Sequence, residues 1–273
     1  MVRARRGPRM VALVGVAVAL AIAAAACGAS SATPQKIYIT PSPGTVTPLP
    51  PGVTPEPTST PPTITTFLVE STALDSRWKV TFKKPVVGGI GDEIAAQMNN
   101  AIGDKVNAFI SAFTDSNLPE VAAGAGPSTL EGDYSIAADT SSMISLRFTV
   151  LTFVSGAAHP AGQPGSITFV VTSGTPVALS ELFADQAKAL STVTSECQAS
   201  LTKTLGADLT WDGKASSLDF FAKAWVITPN GLEFTFNQGD LASQAAGMPS
   251  ATVAWSALKP ALKAGGAASD FAG

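Results

Sequence analysis

The sequence predicts an α+β fold, a mixed or antiparallel sheet with helices packed on one face, preceded by a disordered stalk. Three observations carry this. Ile144, Leu146, Phe148 and Val150 alternate with Ser145, Arg147 and Thr149, which puts the apolar set on one face of a strand. Two other stretches, Ile94 to Phe113 and Leu190 to Leu205, repeat their apolar residues at helical spacing. Ahead of both, residues 28–66 are rich in Pro, Thr, Ser and Gly and have little to bury, so nothing offsets the entropy of ordering them.

The chain opens with MVRARRGPRM, basic and free of acids, then runs apolar from Val11 to Ala26 and meets Cys27. A basic start, a hydrophobic run too short to span a bilayer comfortably and small residues before the cut predict a secretory signal over residues 1–26. Ala24, Ala25, Ala26 and Cys27 resemble a bacterial lipobox, with alanine in place of the usual leucine three residues before the cysteine. That resemblance implies acylation of Cys27 and a lipid anchor on the extracytoplasmic face of the cell membrane; an ordinary cleaved signal would release the protein instead. Removing residues 1–26 takes away Arg3, Arg5, Arg6 and Arg9 and no acid, leaving 13 basic against 20 acidic residues and a net charge of −7. Such a surface predicts no nucleic-acid partner. With Cys27 acylated, Cys197 is a lone thiol, and no disulfide framework exists.

Residues 27–66 form the linker. At about 3.1 Å per residue, roughly forty residues of partly polyproline character reach on the order of 100 Å. The folded domain is expected over residues 67–264. Phe67 and Val69, then Trp78, Val80 and Phe82, alternate with polar residues around Asp75-Ser76-Arg77 and predict two strands. Pro85 and the following glycines should end the second of them. Ile94, Met98, Ile102, Val106, Phe109 and Phe113 form the apolar stripe of a helix with Asp92 and Glu93 at its N-terminal end. A strand is expected near Tyr134 to Ala138, then the one from Ile144. The phase slip at Leu151 and Phe153 predicts a bulge or the strand's emergence there.

Gly156-Ala-Ala-His-Pro160 and a Gly-rich connection lead to a strand from Ile167 to Val171 and a helical turn from Leu179 to Phe183. The second helix should stop at Gly206. Pro229-Asn230-Gly231 between Phe220–Thr228 and Leu232–Phe236 is a hairpin signal. A strand from Ala251 to Trp255, a helix from Ser256 to Lys263 and a flexible tail over residues 265–273 complete the chain.

Chemistry-bearing residues are sparse. His159 is the only histidine, which excludes a multi-histidine zinc site, and no Gly-x-Ser-x-Gly elbow accompanies it. It is expected to pin the turn before Pro160, with ligand contact as the other role. Glu131 with Asp133, and Glu181 with Asp185, are the carboxylate pairs a glycan hydrolase could use, although acids so close together are common on solvated loops and helix starts. Trp211, in a turn, is a candidate ligand contact; Trp225 and Trp255, within strand patterns, are expected in the core. No phosphate-binding, dinucleotide or calcium motif occurs, so no cofactor is predicted.

WKVTFKKPVV, the helix from Met98 to Phe113, ISLRFTV, GAAHP, LSELF, FAKAWVITPNGLEFTFNQGDLASQAAG and ATVAWSALKPAL together resemble the RsiV-like domain-of-unknown-function family. They are also similar to the secreted mycobacterial immunogenic (MPT64-type) family. Gly156–Pro160 and Phe220–Gly247 are the most specific stretches. Where relatives often carry two glycines before the histidine, this chain has Ala157 in the second position. The resemblance implies an α+β fold and, from its anti-sigma-factor members, an extracytoplasmic domain that binds lysozyme. The expectation is therefore a membrane-anchored, non-catalytic binding domain for a lysozyme-like protein or a cell-wall glycan. The alternatives are a glycan hydrolase using paired carboxylates and a passive surface antigen.

Overall fold

The strands divide between two sheets, a separation no local pattern in the sequence reveals. The computed structural model describes residues 61–271 apart from Asp212 and Lys214. The signal, Cys27 and the linker up to residue 60 lie outside the described residues.

Five strands form the first sheet in the order β1 (Thr63–Thr72), β2 (Trp78–Gly88), β3 (Ser128–Asp139), β4 (Met143–Phe153) and β5 (Ala161–Val170). All pairs are antiparallel except β2 with β3, which are parallel over Trp78–Phe82 and Ser128–Gly132. A parallel pair needs a long crossover, and α1 (Asp92–Thr114) supplies it. Its buried residues Met98, Ile102, Val106, Phe109 and Phe113 are members of the expected stripe, and they pack on Val80, Phe82, Leu130, Ile144, Leu146, Phe148 and Val150.

Folded structure starts earlier than residue 67. Thr63 to Thr66, expected at the end of the linker, pair with Pro85 to Gly88. Pro85 does not end β2, because β3 has already diverged from it. Val87, two residues on, turns both its N–H and its carbonyl to the side-chain amide of Asn99 on α1, at 2.8 and 2.9 Å. Pro85 points its nitrogen toward the same open edge, where no donor is needed.

Of the bulge or strand end expected near Leu151 and Phe153, it is the end that occurs: β4 closes at Phe153 without a bulge. Val150 is buried while Leu151 is 40% exposed, so the alternation continues with an apolar residue on the outward face. The register shift lies across the pair, in β3 between Ile136 and Ala138. β5 begins at Ala161 instead of Ile167, and the Gly-rich connection is strand. Pro164 is tolerated because β5 is an edge.

The second sheet holds β6 (Trp225–Thr228), β7 (Gly231–Thr235) and β8 (Ser250–Ala254), all antiparallel. The hairpin forms as expected, with Thr228 opposite Gly231. A Cβ on Gly231 would fall 2.0 Å from the carbonyl oxygen of Val253, so only glycine fits. Phe220 and Phe221, expected in a strand, instead lie in the short helix α3 (Leu218–Phe221). Helix α2 (Gln186–Leu205) packs Ala189, Val193, Cys197 and Leu201 into this core and stops at Gly206, whose φ of 55° suits glycine.

β6 lies against the face of the first sheet opposite α1. Its backbone N–H groups at Trp225 and Ile227 donate to the side chains of Ser166 (2.9 Å) and Ser145 (3.0 Å) on β5 and β4. Two hydroxyls therefore stand in for the neighbouring strand that β6 lacks on this side. Ser145 also shares a 2.7 Å hydrogen bond with Thr168. These buried hydroxyls are satisfied, as buried polar groups must be.

After α4 (Trp255–Leu258), residues 265–271, expected to be a flexible tail, pack on the fold. Ala268 is buried, and the Phe271 ring stacks on Trp255 with centroids 5.9 Å apart. Trp255 is held in turn by its Nε1–H, which donates to the Thr228 carbonyl at 3.0 Å. Phe271→Ala is expected to destabilise the fold by about 1–2 kcal/mol. Urea unfolding followed by tryptophan emission measures this; an unchanged midpoint would show that the docking is energetically idle.

Candidate functional site

The sequence-predicted site residues do not converge. His159 lies in the exposed β4–β5 connection, and its Nδ1 sits 3.1 Å from the Pro160 carbonyl. A carbonyl only accepts, so that bond places the proton on Nδ1. The loop is closed by Ala157 N–H donating to Val154 O at 2.8 Å. Gly156 takes a φ of 86°, whereas Ala157 does not have a positive φ, so alanine at the second position introduces no strain.

Three of the four acids in the carboxylate pairs are held by neighbouring groups. Glu181 accepts from Ala178 N–H and Asp185 from Lys188 N–H, each at 2.9 Å, and the latter caps α2. Asp133 is bound by Lys83 at 2.6 Å, and that hydrogen bond holds its carboxyl below the usual range. Glu131, two residues before it on β3, is exposed. Among the described residues, no group of three His, Cys, Asp or Glu is placed to hold a metal.

Trp211 does face other aromatic residues. It meets Phe236 edge-on at 6.4 Å, and Phe236 stacks on Phe220 at 5.7 Å. Trp225 and Trp255 are buried as expected. Beside this cluster, Phe220, Lys223, Thr235, Phe236, Asn237 and Asp240 line a depression of ≈ 10 Å³, room for about one water. Lys223 Nζ lies 5.4 Å from the Phe220 ring centroid, and Asn237 Nδ2 donates to Asp240 Oδ2 at 2.9 Å. Enclosing a small molecule takes about 300 Å³ or more, so this dish is too small to hold one. Lys223, Asn237 and Asp240 follow no motif, and their only signal in the sequence is nearness to the hairpin.

Gln238 joins this region to the first residues of β5. Its side chain accepts from Gly162 N–H at 2.6 Å, its own N–H donates to Gly162 O at 3.3 Å, and its Nε2 donates to Gln244 O at 2.7 Å. The stretch Phe220–Gly247 is thus tied to the start of β5, two residues past Pro160. Residues 180–256 match the family described as Protein of unknown function (DUF3298). The DUF3298 segment runs from the turn before α2 through β8. It therefore contains the dish and Gln238 but neither His159 nor the first sheet. No curated protein matches the chain. A DUF3298 protein of Pseudomonas aeruginosa PAO1 is similar in structure, with a TM-score of 0.52 at 12% identity over 75% of this chain and 95% of that one. A DUF3298 family member from Bacteroides fragilis NCTC 9343 gives 0.47 at 11% identity, over 74% and 94%. The first likeness supports the fold alone.

Cys197 is sealed in the α2 face of the core, where burial, aided by the charge of Glu196, pushes its thiol up to about 12. Its neutral form is therefore favoured by folding. The associated stability is present below about pH 9 and is lost as pH rises toward 12, since the unfolded thiol ionises first. Native protein at pH 8 is expected to leave Cys197 unmodified by a thiol reagent until denaturant is added. Fast labelling without denaturant would contradict the packing.

Proposed function

We propose that this chain is an extracytoplasmic lipoprotein, anchored to the cell membrane through Cys27, whose α+β domain binds a protein or cell-wall ligand without catalysing a reaction. The observation that carries the reading is the use made of its acids. Glu181 and Asp185 accept from backbone N–H groups, and Asp133 is paired with Lys83, so three of the four candidate acids are held by structural partners, while Glu131 is exposed. The histidine bonds the neighbouring carbonyl, and the aromatic dish is open and shallow. The net charge of −7 from residue 27 onward complements a basic partner, which is consistent with the lysozyme-binding role implied by the RsiV-like resemblance.

Two measurements test this. Titration with lysozyme and with insoluble peptidoglycan, at low and physiological salt, should show saturable binding to at least one; release of soluble glycan fragments would favour a hydrolase instead. Cys27→Ala should move the protein out of the membrane fraction, and unchanged fractionation would remove the anchor from the proposal.

A further inference from the structure

Strand β1 is an edge of the first sheet, pairing with β2 alone in an unbroken ten-residue register. Which of its backbone groups face outward follows from both ends of the hairpin. At one end, Val87 gives its N–H and carbonyl to Asn99, away from β1, so its partner Ile64 must also point its own groups away from β2. At the other end, Ala73 N–H donates inward to Trp78 O at 3.1 Å. The two agree: odd-numbered residues face β2, and Ile64, Thr66, Leu68, Glu70 and Thr72 present their N–H and carbonyl groups outward. No strand among the described residues pairs with them.

Exposed edges are ordinarily blunted by lysine, proline, a bulge or short length. β1 has none of these between Thr63 and Thr72, and Glu70 is its single charge. Phe67 and Leu68, on opposite faces of the strand, are 53% and 51% exposed.

We propose that β1 pairs antiparallel with β1 of a second copy of this chain, about a two-fold axis at Leu68, continuing the sheet across the dimer. The outward set is centred on Leu68. The axis therefore sets Leu68 against Leu68 of the second copy, Thr66 against Glu70 and Ile64 against Thr72, and all five outward residues of each strand find partners. Any other register of this kind leaves outward groups unpaired, and moving the axis to Glu70 would set the two carboxylates face to face. In the chosen register Phe67 stands opposite Val69, an aromatic against a β-branched side chain, which is a favourable cross-strand pair. A foreign strand would satisfy the backbone equally, but this symmetry of length, charge and side chain is specific to a copy. One strand pair buries less than the ~1,200 Å² of a standard interface, so the dimer is concentration-dependent.

The test uses the full chain in mild detergent with Cys27→Ala, which leaves buried Cys197 as the only native thiol. Sedimentation should show a reversible monomer–dimer equilibrium. Leu68→Pro removes an outward donor but no bond to β2, and should raise the dissociation constant about tenfold or more. Leu68→Lys does the same should the proline variant fail to fold. Leu68→Cys should cross-link to itself with a short bis-maleimide, whereas Glu70→Cys should cross-link only when mixed with Thr66→Cys. A chain that stays monomeric at about 100 μM overturns the proposal, as would be found if another ligand or its own upstream residues filled the edge. So does a dimer that is indifferent to Leu68→Lys or is not cross-linked through position 68.

Discussion

Phe82→Ala is expected to destabilise the domain by about 3–5 kcal/mol, the range for deleting a buried aromatic side chain. Phe82 is fully buried and lies 6.2 Å, centroid to centroid, from both Phe109 and Phe148, which are themselves 6.2 Å apart. The three rings, from β2, α1 and β4, hold the helix to the sheet. They fit because two strand positions carry no side chain. A Cβ on Gly132 would fall 2.1 Å from the Phe82 ring, and one on Gly165 would fall 2.4 Å from Phe109. Gly132→Ala should by itself destabilise by about 1–3 kcal/mol through overpacking. In the Phe82→Ala background it should cost much less, because the ring it strikes is gone. Chemical denaturation of both single variants and the double variant reads this coupling. Additive losses would mean that Gly132 is required for some reason other than the ring.

Ser145→Ala is expected to cost about 1–3 kcal/mol, since it strands two buried groups at once. The Ile227 N–H and the Thr168 hydroxyl both bond Ser145 in a site that is fully buried. Thr168→Val should cost less, because Ser145 then still accepts from Ile227. Hydrogen exchange at the Ile227 amide gives a local readout: it should accelerate in Ser145→Ala relative to Leu232 in the neighbouring β7. Equal protection in the variant would mean another acceptor takes over.

Much of the architecture was legible in local pattern. Met98, Ile102, Val106 and Phe109 recur at helical spacing because one helix face must be buried, and Ile144 to Val150 alternate because one strand face must be. Gly206 and Pro229-Asn230-Gly231 announce their stop and turn through backbone geometry that few other residues accept. The candidate site was less legible. Trp211 was visible as a residue, but its contact with Phe236 and the dish that Phe236 lines with Phe220, Asn237 and Asp240 formed only when α3 and the segment after β7 came together. His159 stood out by being the sole histidine, a fact of composition that says nothing about where its ring points.

By itself, the sequence determined the α+β class, the periodic elements and the placement of folded sequence after the Pro/Thr-rich stretch. Each depends on residues near one another in the chain. Only the tertiary structure decided that β2 runs parallel to β3, that two hydroxyls complete β6, that Thr63 to Thr66 and Ala161 to Gly165 are strand, and that Phe271 packs on Trp255. The physical reason is shared. Period reports whether a residue is buried, whereas the partner of a strand edge, a buried donor or a terminal ring is chosen among groups distant in sequence. Pro85 and Pro164 illustrate the difference: each looks like a strand breaker until the structure shows that its missing N–H faces an edge with nothing to bond.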